Sequence, residues 1–354
     1  MIATKLQIAL WVVVMVGGTA SAANPTAVKR LLHTKICPGC ELSETVLPPK
    51  TNLAGADLTG ATIRDANLSG AILRGALLIG ARLSGSNLKG AELFDAELYL
   101  AGLQNVDLND ARLDGAKLNG AAFVGTKLAG AKLFGADLEG AVFEPISLPD
   151  IQSISDAIGL KSLTYQQSPS ALRLLRKEFK ETGLQNKQKE ITYALMHQER
   201  LEAGGIEGFL RYTLFELTSE WGLSPLRPLW LMALLVLPFA GIYAGAIVRP
   251  GKSVGLWRVW DKDRIRQDIG TAVPVQLNRA NSSVAWNALY FSIISAFYVG
   301  WHEINIGTWI GRLNPHEYTL RATGWLRSLS GFQSLVSIFL VALAFLTYFG
   351  DPFE

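Results

Sequence analysis

This 354-residue chain predicts a mainly β solenoid, followed by an α-helical neck and an α-helical transmembrane domain. Three observations carry that fold class. From Leu53 to Phe143 an apolar residue returns at every fifth position. After Pro145 that beat gives way to helical spacing. From Pro228 onward come long apolar segments, two of them free of charge.

At the N-terminus, Lys5 precedes a run from Leu6 to Val16 that is apolar apart from Gln7, and Gly17, Gly18 and Ala20-Ser21-Ala22 follow. This is the layout of a secretory signal peptide over residues 1–22, cleaved after Ala22. The apolar run is short for a span, and an uncleaved anchor would deliver the next segment to the same side. Residues 23–50 hold the only two cysteines, Cys37 and Cys40. In an exported chain such a lone pair invites a disulfide. Haem attachment needs His after the second Cys, where Glu41 stands, and a thioredoxin-like site wants a strand leading into a helix.

Residues 51–145 carry the repeat. Units such as Ala56-Asp57-Leu58-Thr59-Gly60 and Ala66-Asn67-Leu68-Ser69-Gly70 put Ala two places before the large apolar residue, and often Gly two places after it. A period of five is neither the 3.6 of a helix nor the 2 of a flat strand. It belongs to a chain that turns a corner every five residues, and four corners close a square coil of twenty. Stacked coils bond to one another through the backbone and form a solenoid. A narrow shaft admits one large and one small side chain per face, which is why the small one is Ala. Its replacements Ser86, Val106 and Thr126 are spaced by twenty, as are Phe123 and Phe143, so each set stacks on one face.

The segment resembles the pentapeptide-repeat family, whose pattern is Ala-(Asp/Asn)-Leu-X-X. The resemblance implies a right-handed quadrilateral β-helix. With coils about 4.8 Å apart, roughly nineteen repeats make a rod on the order of 20–25 Å long. Residues 36–40, Ile-Cys-Pro-Gly-Cys, resemble the lead-in of some exported members, which points to Cys37 and Cys40 as a staple on a cap over the first coil. Some relatives mimic duplex DNA with a one-signed acidic field. Here Asp57, Asp65, Glu92, Asp95, Glu97, Asp107, Asp110 and Asp114 alternate with Arg64, Arg74, Arg82, Lys89, Arg112, Lys117, Lys127 and Lys132. That mixed surface suits a solvated or protein-docking face.

Residues 146–227 form the neck. Ser168 to Thr182 reads as a helix with Leu172, Leu175 and Phe179 on one face and Gly183 at its end, and Lys187 to Ala203 as a second, stopped by Gly204-Gly205. The pair is charged and is expected as a solvated hairpin. Its slight basic excess lacks the aromatic interleaving of a nucleic-acid site.

Residues 228–354 form the expected membrane domain, with spans at about 228–248, 284–301 and 331–349. The middle segment is broken by Asn287, Ser292 and Ser295. Its end, Tyr298-Val299-Gly300-Trp301-His302-Glu303, resembles the filter of a two-span potassium channel, Thr-Val-Gly-Tyr-Gly-Asp. Filter carbonyls replace an ion's hydration shell. Tyr298 stands where the family has Thr and His302 where it has the second Gly, so three readings stay open: a conducting pore, a degenerate structural descendant, or an ordinary third helix. If the solenoid is exported, the first span runs inward, and Lys252, Arg258, Lys262, Arg264, Arg266 and Arg279 fall on the cytoplasmic side, as the positive-inside rule asks. A re-entrant pore would then open inward, opposite to potassium channels. Three full spans are therefore expected, with Arg312, Arg321 and Arg327 outside.

Nothing points to an enzyme, a metal site or a cofactor. His33, His197, His302 and His316 are scattered, and the glycines belong to the five-residue turns rather than to a phosphate loop. A net charge of +3 steers no partner strongly. The expected partners are membrane lipid and a protein docked on the solenoid face, without nucleic acid. A homo-oligomer would be a tetramer only if the pore is real. The expected location is a bacterial inner membrane with the repeats on the periplasmic side. Functionally the chain reads as a non-enzymatic membrane-anchored interaction scaffold, or alternatively as an ion channel or channel-derived sensor.

Overall fold

The computed structural model describes residues 24–260, 274–280, 282–297 and 318–350. The chain divides into two compact units, one ending at Gly208 and the other beginning at Phe209. The expected leader, residues 1–22, lies outside the described residues.

In the first unit the interior repeats each make one parallel bridge to the coil before and one to the coil after. Asn52 pairs with Ile72, Ile72 with Glu92, Glu92 with Arg112 and Arg112 with Lys132, and the other three faces follow the same twenty-residue step. The residue between Ala and Leu carries both bonds: Leu73 N–H donates to Glu92 O at 2.7 Å, and Glu92 N–H to Ala71 O at 2.9 Å. This leaves Ala71 and Leu73 to point inward, where both are fully buried. The corner residue that follows takes a positive φ and is usually Gly, otherwise Asp or Asn (Asp65, Asp95, Asn105, Asp110), with Leu100 the exception between Leu53 and Phe143. Those types enter the left-handed region most cheaply. Ser86, Val106 and Thr126 are buried on one face, and Phe123 stacks near Phe143 with ring centroids 6.2 Å apart.

The coil begins earlier than residue 51. Cys37, Leu42 and Leu47 are buried at the same five-residue spacing, with bridges Ile36–Asp57, Glu41–Thr62 and Val46–Asn67. These steps are twenty-one residues, because one extra residue sits in the run Pro48-Pro49-Lys50. The segment expected only as a cap is thus a helix, α1 (Pro25–Thr34), followed by three faces of a coil. Asn24 caps α1 by accepting from the Thr26 N–H at 3.1 Å, Pro25 takes the first turn, and Ala27, Val28 and Leu31 pack on the first coil.

At the other end the bridges Asp137–Ile158 and Val142–Thr164 add a last irregular coil containing α2 (Ile151–Ser155). The neck helices are α3 (Ser170–Glu181) and α4 (Gln185–Ala203), joined through Gly183 at φ 76°. Their expected solvation holds for one side only. Leu172, Leu175, Phe179, Ile191, Ala194 and Leu195 are buried in the same apolar core as the coil. The hairpin closes the shaft, which would otherwise end in open apolar surface and unpaired backbone.

The division between the units falls within α5 (Gly205–Arg211), which is followed by a π-helical turn (Tyr212–Glu216) and α6 (Leu217–Ser219). Next come α7 (Arg227–Val248), β1 (Gly255–Trp260), β2 (Val275–Gln276), α8 (Val284–Ala296), β3 (Tyr318–Thr323) and α9 (Trp325–Phe349). Helices α7 and α9 are each long and apolar enough to cross a membrane. The strands form an antiparallel sheet in the order β2-β1-β3, with Trp257 opposite both Gln276 and Arg321. Under it lie Tyr243, Ile247, Leu256, Leu277, Phe291, Leu320 and Leu326.

This sheet joins the two chain segments that the three-span expectation would set apart. β1 follows α7 by six residues and β3 precedes α9 by one, so the C-terminal end of α7 and the N-terminal end of α9 meet at the same sheet. Three crossings would set Arg258 and Arg321 on opposite faces of a bilayer, yet Arg258 pairs with Leu320, the neighbour of Arg321. The middle segment, expected as a span over 284–301, is helical only over Val284–Ala296 among the described residues. Thirteen residues reach about 20 Å, against roughly 30 Å of bilayer hydrocarbon.

Candidate functional site

The six filter-like residues, Tyr298, Val299, Gly300, Trp301, His302 and Glu303, lie outside the described residues. The helix that leads to them is described, and its polar residues are not loose ends. Asn287, Ser292 and Ser295 are all buried. Ser292 Oγ donates to the Val236 carbonyl of α7 at 2.8 Å. Gln333 of α9 donates to Ser292 O at 3.0 Å and to Ser292 Oγ at 2.9 Å, and accepts from Tyr243 Oη at 3.0 Å. Ser295 and Ser330 share a hydrogen bond of 2.8 Å. One connected polar cluster therefore joins α7, α8 and α9. Inside apolar surroundings each member is held by the cost of leaving its partners unpaired.

Cys37 and Cys40 are joined by a disulfide, with Cα atoms 5.3 Å apart. Cys37 occupies the large inward position of its face and Cys40 the small inward position of the next, so the bond fills the shaft where Leu and Ala stand elsewhere. Cys37 is fully buried.

The outer surface of the coil is the other candidate. Side chains twenty residues apart are stacked neighbours, and the structure uses that. The Phe94 ring lies 4.8 Å from the Arg74 guanidinium and 4.4 Å from that of Arg112. Arg74 also pairs with Glu92 at 2.8 Å. On the adjacent face Lys117 pairs with Glu97 at 2.8 Å and lies over the Tyr99 ring. The Glu97 carboxylate holds the Lys117 ammonium above its ordinary pKa. Near the end of the coil, Lys132 bonds Asp150 at 2.8 Å. That bond, and the Ser153 N–H, hold the Asp150 carboxyl below its usual range. Burial, with Glu202 and Glu199 nearby, pushes the Tyr165 phenol upward. Arg74, Arg112 and Lys117 were recognisable only as scattered charges in the sequence. The signal that pairs Arg74 with Phe94 is their separation by one coil.

The surface is thus a set of preformed charge–aromatic ladders one coil apart. Among the described residues no three His, Cys, Asp or Glu side chains cluster so as to hold a metal ion.

Comparison with curated proteins finds no match. Three solved structures that resemble the chain are all pentapeptide repeat proteins. One from the cyanobacterium Cyanothece 51142 is 29% identical over 36% of this chain and 100% of its own, at a TM-score of 0.34. One from the Arabidopsis thaliana thylakoid lumen is 25% identical over 32% of this chain and 76% of its own, at 0.27. HetL, involved in heterocyst differentiation regulation, from the cyanobacterium Nostoc sp., is 27% identical over 37% of this chain and 70% of its own, at 0.19. The sequence profile of pentapeptide repeats matches residues 49–75, 71–110 and 107–144, in eight copies. Over residues 49–144 the chain is similar to pentapeptide repeats.

Proposed function

We propose that the chain is a membrane-anchored, non-enzymatic scaffold whose repeat coil presents a rigid outer face to a protein partner. One observation supports the anchoring above all. In α7 and α9 only 28% of the apolar window is buried inside the protein, so these are not the enclosed core helices of a soluble fold. Trp230, Leu234, Leu237, Leu335 and Phe345 stand exposed along them, and lipid is the solvent that suits such a surface. The charge balance supports the orientation. Residues 249–327, which include the sheet, hold ten Lys and Arg against five Asp and Glu. By the positive-inside rule that end of the helices faces the cytoplasm, and the repeats face the periplasm of a bacterial inner membrane.

The test is extraction of membranes at alkaline pH, with protease shaving of intact spheroplasts carrying a tag ahead of the repeats. The protein is expected in the membrane pellet with the tag cleaved. Release into the supernatant overturns the anchoring, and survival of the tag overturns the orientation.

A second reading, a channel or channel-derived sensor, is favoured by one specific observation. Helix α8 starts at the sheet, where Val284 packs against the core that holds Tyr243 and Leu256, and the chain is again in the sheet at Tyr318. A segment that enters and leaves on one side is the topology of a re-entrant pore element, which brings with it assembly of four copies. Planar-bilayer recording separates the readings. Silence under all ions and voltages leaves the scaffold alone, and currents unchanged by Gly300→Ala remove the filter assignment.

A further inference from the structure

We infer that residues 205–219 form a helix lying flat in the lipid–water interface, at the level where α7 enters the bilayer. This rests on the membrane anchoring proposed above. Helix α5, the π-helical turn and α6 run on without a break. Along them Ile206, Phe209, Leu210, Leu214 and Leu217 recur at helical spacing and all are exposed, Ile206 by 80% and Phe209 by 64%. The buried residues are small or polar instead, namely Gly208, Glu216, Thr218 and Ser219, with Phe215 the one half-buried aromatic among them. The helix is therefore built inside out for water, with its apolar stripe facing away from the protein.

What covers the stripe follows from its neighbours. Leu217–Ser219 packs against both α7 and α9. The link to α7 is a tight turn. Ser224 Oγ donates to Glu220 Oε2 at 2.6 Å, the same carboxylate pairs with Arg227, and Trp221 is buried against Phe215 with ring centroids 5.3 Å apart. That turn holds the stripe helix beside the first residues of α7, where Trp230 is 75% exposed. A bare indole at the first turn of a span marks the boundary between lipid and water. The apolar surface of α7 is thus continued by the stripe at one level, and a single lipid surface covers both. Glu207 and Arg211 carry opposite signs beside the stripe, so contact depends on apolar burial rather than on anionic headgroups, and high salt leaves it unchanged.

The full chain is well suited to the test, because both native cysteines are bonded to each other and take no label. Spin labels are placed through Phe209→Cys, Leu210→Cys, Leu217→Cys, Glu207→Cys and, as a control within α7, Leu234→Cys. The protein is reconstituted in phosphatidylcholine vesicles and probed with oxygen and a water-soluble nickel chelate. Labels at 209, 210 and 217 are expected to favour oxygen, about 5–10 Å below the headgroups, with 207 favouring nickel and 234 deeper than all. If 234 meets oxygen and 210 meets nickel, the helix stands in water: the inference falls and the anchoring stands. If 210 is shielded from both probes, protein covers the stripe and the inference falls. If 234 also meets nickel, the anchoring fails and takes the inference with it.

Discussion

Leu100 leans over Gly120, the corresponding corner one coil later, so closely that a β-carbon on Gly120 would sit 2.6 Å from Leu100 Cδ2. The same relation recurs along the coil. A β-carbon on Gly85 would meet Asp65, on Gly115 Asp95, on Gly125 Asn105 and on Gly130 Asp110, each at 2.4 Å or less. Every one of these corners is left-handed. At each of these five corners the side chain projects along the stack rather than away from it, and the corner one coil later is glycine.

Gly120→Ala should therefore be destabilising for two separable reasons, backbone and contact. The left-handed backbone alone costs about 1–2 kcal/mol. In a Leu100→Gly background the contact is gone, and the penalty should shrink by about 0.5 kcal/mol or more. A double-mutant cycle by urea denaturation measures this. Equal penalties in both backgrounds would mean that the corners do not interact.

Thr126 and Ser86 offer a second check, two coils apart on one face. Each hydroxyl donates to a carbonyl twenty-three residues earlier, Thr126 to Leu103 at 2.7 Å and Ser86 to Ile63. Thr126→Val keeps the shape and removes the donor. The Leu103 carbonyl is left with the Val106 N–H at 3.3 Å, and the cost should be about 1 kcal/mol. An unchanged unfolding midpoint rejects that role for the hydroxyl.

Asp150 gives a pH signature. It caps α2 through the Ser153 N–H at 2.8 Å and bonds Lys132, and its carboxyl is held low in the folded state. A depressed folded pKa adds stability that is complete above the unfolded carboxylate range and fades as pH falls through the folded value. Asp150→Asn keeps the cap, since Asn and Asp serve equally well there, but drops the charge. The variant should be less stable than the parent at pH 7 and converge on it below about pH 4. Parallel curves of melting temperature against pH count against the Lys132 contact.

What could be read from the residues, and what could not, follows from how far each signal reaches along the chain. The coil from Leu53 to Phe143 is legible because each corner is set by five consecutive residues. The first coil is hidden by one extra residue between Leu47 and Leu53, and by Cys37 standing where Leu is expected. Hairpin burial in the neck shows only as the apolar face of Leu172, Leu175 and Phe179, and nothing local says that this face meets the end of a shaft. The β1–β3 ladder joins residues about sixty apart, so neither strand announces its partner. Among the candidate sites, the disulfide pair was legible from its isolation. The polar cluster was visible only as interruptions in an apolar segment, which read as weakness and prove to be the joints between helices.

Those joints are testable through Gln333. Gln333→Leu strips Tyr243 of its acceptor and Ser292 of a donor, at the point where α7, α8 and α9 meet. Interhelical hydrogen bonds of this kind are worth about 0.6–1.7 kcal/mol. The detergent-solubilised variant should therefore unfold at a lower denaturant concentration than the parent, while Leu335→Ala, on an exposed position of the same helix, should not. The cluster is not structural if both variants match the parent.

The arrangement of the membrane segments comes down to Arg258 and Leu320, paired on neighbouring antiparallel strands. Cα atoms opposite each other in such a ladder lie about 4.5–5.5 Å apart, within reach of a disulfide. Full-length protein carrying Arg258→Cys and Leu320→Cys, reconstituted and treated with a mild oxidant, should cross-link within one chain. The native pair Cys37 and Cys40 is already closed and does not compete. With three crossings the new cysteines would be separated by roughly 30 Å of hydrocarbon and could never meet. Failure to cross-link, with each thiol labelled from a different side of the vesicle, would restore the three-span topology and dismantle the sheet. Efficient cross-linking leaves only an even number of crossings between the two strands, and α8 then enters and leaves on the side from which it came.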